Sequence, residues 1–507
     1  MTEPTSVARP IEVDARHVTR DVAIQIVARI LNLALGVVVT LVLVRGLGAH
    51  SFGIWSTLFA VTQIASSFGE LGLPGVTVSR AASDPAREPQ WLGALLQLRL
   101  LVLIPITLGS LIGVLLIAPS AHARLAGVLI ACVALVGVPG IVSVVFQLRV
   151  RNDISMVLLT TNSVVWAVAV IGVSALSGGI VAFAVAFLIT NAFTAGLTFL
   201  LARRYTRVRL RGARPLWGAL LRVGVGVGIG GILVTSYVKL DQILVFEFAG
   251  SRQAGLYGAA YRLLESVQFI PISVMTTLFP LIAAAYGTRR DRAKDLLQAA
   301  AEYLAMASLP ILAFTIVAAR PIMSFLFGHQ FLAASSALPV LAGAFISISF
   351  GYLVGNMVVV LELQKSFVRY AASGLVLNAV LNVLLIPRYG FQAAAWVTLL
   401  TEVTVMSQSM RKVLAVLGMT PAFARILRTL AAALAMGVAV WLVKLAGLPL
   451  AGLAAVAALS YFPFLLALRV ITVAEVLSVL RKEPPAARED PSPPSSSGPQ
   501  SSASSIP

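Results

Sequence analysis

The chain is a succession of long apolar runs separated by short connectors that carry most of its charge. Fourteen runs reach the roughly 20 residues that an α-helix needs to cross a hydrocarbon core. They open with Val22–Val44 and Phe52–Gly72 and close with Leu427–Leu445 and Leu450–Val470. The seventh and eighth are Trp217–Phe246 and Leu256–Ala285. Pro321–Phe327 is apolar but short, and is expected to lie at the membrane interface. The predicted fold is therefore an all-α integral membrane protein of about 14 transmembrane helices. Composition agrees: 59% of the 507 residues are hydrophobic and only 11% charged, against about 25% charged in soluble domains.

The runs repeat. G-A-H-S-F-G-I-W from Gly48 resembles G-S-R-Q-A-G-L-Y from Gly250, with the same glycine spacing 202 residues later. A second pair, G-I-V-A-F-A at Gly179 and G-F-Q-A-A-A at Gly390, lies 211 residues apart. Spans 1–6 and 7–12 then read as two parallel copies of a six-helix unit, with spans 13 and 14 added. The expected layout is a cytoplasmic segment at 1–20, an N lobe at 21–212, a C lobe at 213–412, the extra pair at 413–480 and a disordered cytoplasmic tail at 481–507.

Charge sets the orientation. Clusters such as Arg203, Arg204, Arg207, Arg209, Arg211 and Arg214, or Arg289, Arg290, Arg292 and Lys294, fall in connectors on one side. The other side has Arg45, Arg124, Arg252, Arg388 and Lys444. The basic side is expected to be cytoplasmic, both termini with it. A net charge of +18 is thereby accounted for without nucleic acid.

Polar residues inside spans are costly and face protein or water. Gln25, Arg29, Asn32, Gly36 and Thr40 follow at helical steps in span 1, and Ser56, Gln63, Ser67 and Glu70 in span 2. Thr235, Lys239 and Gln242, with Asp241 beside them, form a stripe in span 7. Tyr261, Arg262, Glu265 and Gln268 do so in span 8. Spans 3 to 6 are almost purely apolar. The stripes predict a hydrated cavity between the lobes, lined by Gln25, Arg29, Asn32, Gln63, Glu70, Lys239, Arg262 and Gln268. An ion pair between Arg262 and Glu265 would be the structural alternative. Arginines suit an anionic group, and Asp241 or Glu265 could instead hold a coupling H+ or Na+.

Chemistry of other kinds is not visible. The single cysteine and four scattered histidines fit neither a metal site nor a disulfide framework. Neither a phosphate-binding G-x-x-x-x-G-K-[ST] nor a nucleophile elbow is present, so an enzyme is not expected. Gly226, Gly228 and Gly231 match G-x-G-x-x-G, yet the stretch R-V-G-V-G-V-G-I-G-G-I runs straight into span 7 with no βαβ unit around it. Four-residue glycine spacing there suits close helix packing, and Gly226, Gly228, Gly230 and Gly231 are a candidate hinge.

Four segments carry a family resemblance: L-V-R-G-L-G-A-H-S-F-G-I-W (Leu43–Trp55), the stretch Lys239–Leu263, R-P-I-M-S-F-L-F-G-H-Q-F (Arg320–Phe331) and N-V-L-L-I-P-R-Y-G-F-Q-A-A-A (Asn382–Ala395). Together they resemble the polysaccharide transporter family of the multidrug/oligosaccharidyl-lipid/polysaccharide exporter superfamily. The resemblance implies a two-lobed fold with a central cavity lined by helices 1, 2, 7 and 8. It also implies a flippase for undecaprenyl-diphosphate-linked oligosaccharide units in the bacterial inner membrane, with Arg29 and then Arg262 meeting the diphosphate. A monomer is expected, with membrane lipids as surroundings and the polymerase and chain-length proteins of the same pathway as candidate partners. A drug/cation antiporter and a lipid-linked peptidoglycan-precursor flippase of the superfamily are the alternatives.

Overall fold

In hydrocarbon every backbone N–H and C=O must be bonded within the protein, and a helix does this within one segment. The computed structural model describes residues 15–472 apart from 150, 206 and 207; the side chains of 15–27, 30, 70, 139, 142, 152 and 227 are also outside the description, as are most of the expected leading segment and all of the 481–507 tail. In chain order the helices are α1 (Ala15–Glu70), α2 (Leu73–Ser83), α3 (Glu88–Ile117), α4 (Ala121–Val136), α5 (Val144–Leu148), α6 (Asn152–Ala175), α7 (Ile180–Ala202) and α8 (Trp217–Val267). They continue with α9 (Phe269–Thr288), α10 (Arg290–Phe327), α11 (Leu338–Val360), α12 (Gln364–Tyr389), α13 (Phe391–Leu417), α14 (Ala424–Leu445) and α15 (Leu450–Ala467).

Among the described residues, ten helical stretches are long and apolar enough to cross a membrane. Two of them, of 53 and 61 residues, are each a pair of spans. Within α1 the helix breaks at Gly48 (φ 69°, ψ 170°), and within α8 at Gly250 (φ 85°, ψ 167°). That backbone region is essentially closed to residues with a Cβ, so both positions require glycine. Helix α4 and the charged helix α13 account for the remaining runs. The first glycine pair of the internal repeat thus adopts one conformation in both copies. The second does not: Gly179 is extended (φ −80°), whereas Gly390 has φ 60°.

Two local expectations change. The fourth run is not a single helix, because G-V-P-G (Gly137–Gly140) interrupts it with a 3₁₀ turn at Val138–Ser143 before α5; proline removes a donor and glycine loosens the turn. Pro321–Phe327 is not a separate interfacial piece either, since α10 continues through Pro310 and Pro321 to Phe327.

Helices α1 to α7 pack among themselves, as do α8 to α13, and α14 and α15 lie against α10. The two halves meet where α1 runs alongside α8. The buried core is continuous across that joint, with Phe52, Trp55 and Leu58 on one side and Tyr257, Ala260 and Phe331 on the other. The outer surface is the reverse of a soluble protein's: Leu116 is 80% exposed, and Ile104, Leu176, Leu384 and Leu459 are also bare. Such a surface is stable where hydrocarbon is the solvent.

Candidate functional site

The halves are clamped at both ends of their joint. At the end away from the basic connectors, the turns after Gly48 and Gly250 cross with reciprocal contacts. A Cβ on Gly53 would fall on the Ser251 carbonyl, and one on Gly255 would fall on the Ala49 carbonyl. Ala49-x-x-x-Gly53 and Ser251-x-x-x-Gly255 are the same small-residue spacing in the two copies, the pattern that lets helix backbones touch. His50 Nδ1 bonds Ser251 Oγ at 2.7 Å. Arg45 donates to the carbonyls of Leu326 (2.8 Å) and Phe325. At the basic end, Gly224 and Gly228 of α8 lie against the backbone of Leu71, so the expected close packing of this stretch is present. Its backbone is helical throughout, and the non-helical position in α8 is Gly250.

Between the clamps, Arg262 projects into a cavity of ≈270 Å³ walled by Gly36, Thr40, Trp55, Ser163 and Trp166 of the first half. Arg262 donates to Glu265 at 2.8 Å, and Lys239 donates to the other carboxylate oxygen at 2.7 Å. All three side chains are half-buried. One carboxylate thus holds two cations, and the group as a whole is positive. Lys239, Glu265 and Gln268 also line a second cavity of ≈530 Å³ inside the second half, together with Tyr352, Asn356 and Glu402. Gln268 accepts there from the Tyr352 hydroxyl at 3.3 Å. A third, almost wholly apolar cavity of ≈760 Å³ runs from Val37, Thr40 and Leu41 past Leu263 and Phe345 to Tyr461 on α15.

Asp241 is placed differently from its neighbours in the stripe. It is 0% exposed. Its Oδ1 accepts from Asn378 Nδ2 (2.7 Å) and Asn382 Nδ2 (2.6 Å), and its Oδ2 from Thr398 Oγ1 (2.5 Å) and the Tyr257 hydroxyl (3.0 Å). Four donors from α8, α12 and α13 hold one carboxylate, which is how a charge survives without water. Asn382 Oδ1 stays buried without a partner. Both carboxylate oxygens are thus occupied by donors, and an unpartnered amide oxygen belongs to the same buried group. Glu265 instead has both oxygens committed to cations.

The remaining candidates scatter. Asn32 donates to Thr160 Oγ1 on α6 at 2.8 Å and keeps a buried, unpartnered Oδ1; Gln63 has a buried, unpartnered Oε1. Arg29 is exposed on the first arm of α1. The side chains of Gln25 and Glu70 lie outside the described residues. The expected single cavity is thus two polar cavities and a closed carboxylate cluster. The stripes read from the sequence lie in spans 1, 2, 7 and 8 and do not include Asn378, Asn382, Thr398 and Glu402, which are on α12 and α13. Their signal is present: Asn378 with Asn382, and Thr398 with Glu402, are polar pairs at i, i+4 and so share a helix face.

Two helical halves joined at paired glycine breaks, with polar cavities between and inside them, define a multi-pass all-α membrane protein. The sequence pattern of the family described as "Polysaccharide biosynthesis protein" matches residues 18–285, and the chain belongs to that family. The "Probable low-salt glycan biosynthesis flippase Agl15" of Haloferax volcanii is 25% identical over 166 residues, which is 32% of this chain and 35% of that protein. The match therefore spans about a third of that relative. Among solved structures, "Lipid II flippase MurJ, inward closed conformation" superposes with a TM-score of 0.71 at 13% identity, covering 90% of this chain and 99% of that one. A "multidrug resistance MATE family transporter of the MOP superfamily" in an inward-facing conformation gives 0.59 at 16%, covering 78% and 100%. The structural likenesses show that this chain shares their all-α membrane fold.

Proposed function

We propose that this chain is a flippase that carries oligosaccharide repeat units linked to undecaprenyl diphosphate across the bacterial inner membrane, for assembly of a surface polysaccharide. The observation that carries the reading is the net-positive Arg262–Glu265–Lys239 group at the joint between the halves, with an apolar cavity alongside it. A diphosphate competes with Glu265 for Arg262 and Lys239, charge against charge, and arginine's planar fork fits phosphate oxygens. The prenyl chain lies along the apolar cavity and in the bilayer, so only the head crosses. At ≈270 Å³ the closed inter-half cavity is below the roughly 300–1,000 Å³ of ligand pockets; the halves must part at one end to admit a sugar. Alternate release of the two clamps gives access from each side in turn, and an ion at Asp241 supplies the coupling. The family membership and the glycan-flippase relative support a lipid-linked sugar as cargo.

The coverage of the lipid II flippase structure favours one second reading, a lipid-linked peptidoglycan precursor as cargo, which has the same diphosphate chemistry. A cationic drug suits the positive group poorly. The test is translocation of a fluorescent undecaprenyl-diphosphate oligosaccharide by the purified protein in liposomes. Flipping of the repeat unit, and not of lipid II, supports the proposal; no flipping of either sinks it. In that assay Arg262→Ala is expected to slow transport roughly tenfold, a loss of about 1.4 kcal/mol in transition-state stabilisation, with Arg262→Lys intermediate. A variant as fast as the parent would exclude the diphosphate role.

Orientation is tested separately. A single cysteine at Arg211, in the basic connector, is expected to react with a membrane-impermeant maleimide only after the inner membrane is opened. Labelling of intact cells from the periplasm would reverse the topology.

A further inference from the structure

The second half contains a buried carboxylate that the transport scheme above leaves unused. Glu402, on α13, is 8% exposed and forms part of the wall of the ≈530 Å³ cavity. The buried Tyr237 of α8 lines the same cavity. Among the described residues no Lys, Arg or His nitrogen pairs with it: Lys239 and Arg262 are both taken by Glu265. An isolated carboxylate in such a place is stabilised only by gaining a cation, and the smallest is a proton.

Its position relative to Asp241 is specific. Tyr237 and Asp241 are one turn apart on α8, and Thr398 and Glu402 are one turn apart on α13. Thr398 bonds Asp241, and Tyr237 and Glu402 line one cavity, so the two helices run antiparallel with two rungs. One rung is sealed around Asp241, and the other opens to the cavity. The cavity is polar where it meets Glu402. Ser409, 3% exposed, lies two turns along the same face with its buried hydroxyl unpartnered, and Asn356, Gln268 and Tyr352 stand across from it. A cavity of this size with unpaired polar groups is one that water fills.

We infer that Glu402 is a proton-exchange site: the carboxyl takes a proton from water of the second half's cavity and returns it there, next to the sealed Asp241 cluster. The bond formed is Glu402 O–H and the bond broken is O–H of a cavity hydronium, so the exchange balances without another reactant. The ionisable groups facing Glu402 are Tyr237, Lys239, Asp241, Tyr261 and Glu265 from α8 and Tyr352 from α11; α12 adds Phe367 to the cavity wall and no charged side chain. Asp241 is the other buried carboxylate on this pair of helices. Protonation of Glu402 removes the repulsion between two buried anions on adjacent rungs, which ties proton uptake to the state of Asp241.

The inference rests on the proposed transport only for its readout, and its first arm does not need cargo. Infrared difference spectra of the purified full-length protein between acid and alkaline pH report protonated carboxyls through their C=O stretch. The parent protein is expected to show a band that Glu402→Gln lacks and Asp241→Asn retains. A band kept in Glu402→Gln, or lost only in Asp241→Asn, would assign the proton to another group and overturn the inference. In liposomes loaded with the lipid-linked substrate, an imposed proton gradient is expected to change the parent's rate at least threefold and that of Glu402→Gln not at all. A Glu402→Gln variant that responds like the parent would also overturn it. Absence of lipid flipping beside a normal infrared result would refute the transport proposal and leave the proton site standing.

Discussion

Asp241→Asn is expected to abolish transport while the chain still inserts and folds. The carboxylate is fully buried and accepts four hydrogen bonds. An asparagine keeps one acceptor oxygen and turns the other into a donor. If the oxygen faces Asn378 and Asn382, the amide faces the hydroxyls of Tyr257 and Thr398, which rotate to accept. The fold is therefore retained and the negative charge is lost, along with whatever ion it binds. A hundredfold or greater fall in flipping rate is expected, equivalent to about 2.7 kcal/mol, measured in liposomes against equal amounts of protein. Asp241→Ala goes further, because Asn378 Nδ2 loses its acceptor, whereas Thr398 keeps the Ala394 carbonyl, Tyr257 keeps Thr398 and Asn382 keeps Asn378. At about 1–3 kcal/mol for a buried orphan, it should also lower the thermal unfolding temperature in detergent, whereas Asp241→Asn should move it little. Transport by Asp241→Asn at the parent rate would remove Asp241 from the coupling scheme.

The contrast between Asp241 and its neighbours explains what the sequence could and could not reveal. Hydropathy located the membrane helices because a span must be apolar over its whole length, and the glycine match located the breaks because both copies need a conformation closed to other residues. The stripes at Lys239, Arg262, Glu265 and Gln268 fell where the cavities are. A stripe identifies a face and not its neighbour, however, and Asp241 lies two residues beyond Lys239, about 200° round the helix. It therefore turns into the second half and meets Asn378, Asn382 and Thr398, 137 to 157 residues further along the chain. Long-range pairing of that kind has no local pattern. The isolated polar pairs on α12 and α13 only acquire meaning once α8 is known to pack against both. Arg29 shows the opposite limit: depth in a span suggested a cavity position, yet it stands exposed, since helical phase alone does not say which face meets the other half.

The reciprocal glycine crossing should be the most sensitive point for the conformational cycle. Gly53→Ala places a methyl group on the Ser251 carbonyl, and Gly255→Ala places one on the Ala49 carbonyl. Neither obstacle is the flexible end of a side chain, so the backbones of α1 and α8 must separate. Because the contact is reciprocal, separation at one glycine also opens the other, along with the His50–Ser251 bond. Both variants are therefore expected to hold that end of the joint ajar, and to lose at least tenfold in transport, or about 1.4 kcal/mol. The direction is measurable in a Cys132→Ser background with Thr40→Cys as a reporter in the inter-half cavity. Its maleimide labelling from the end away from the basic connectors should rise in Gly53→Ala and Gly255→Ala. Gly196→Ala, where a Cβ meets nothing within 4 Å, controls for the general effect of the substitution and should transport and label like the parent. Unchanged labelling and transport in both crossing variants would mean that this end does not have to close for the cycle to run. Closure at the Leu71–Gly228 contact would then be left as the constraint that alternates.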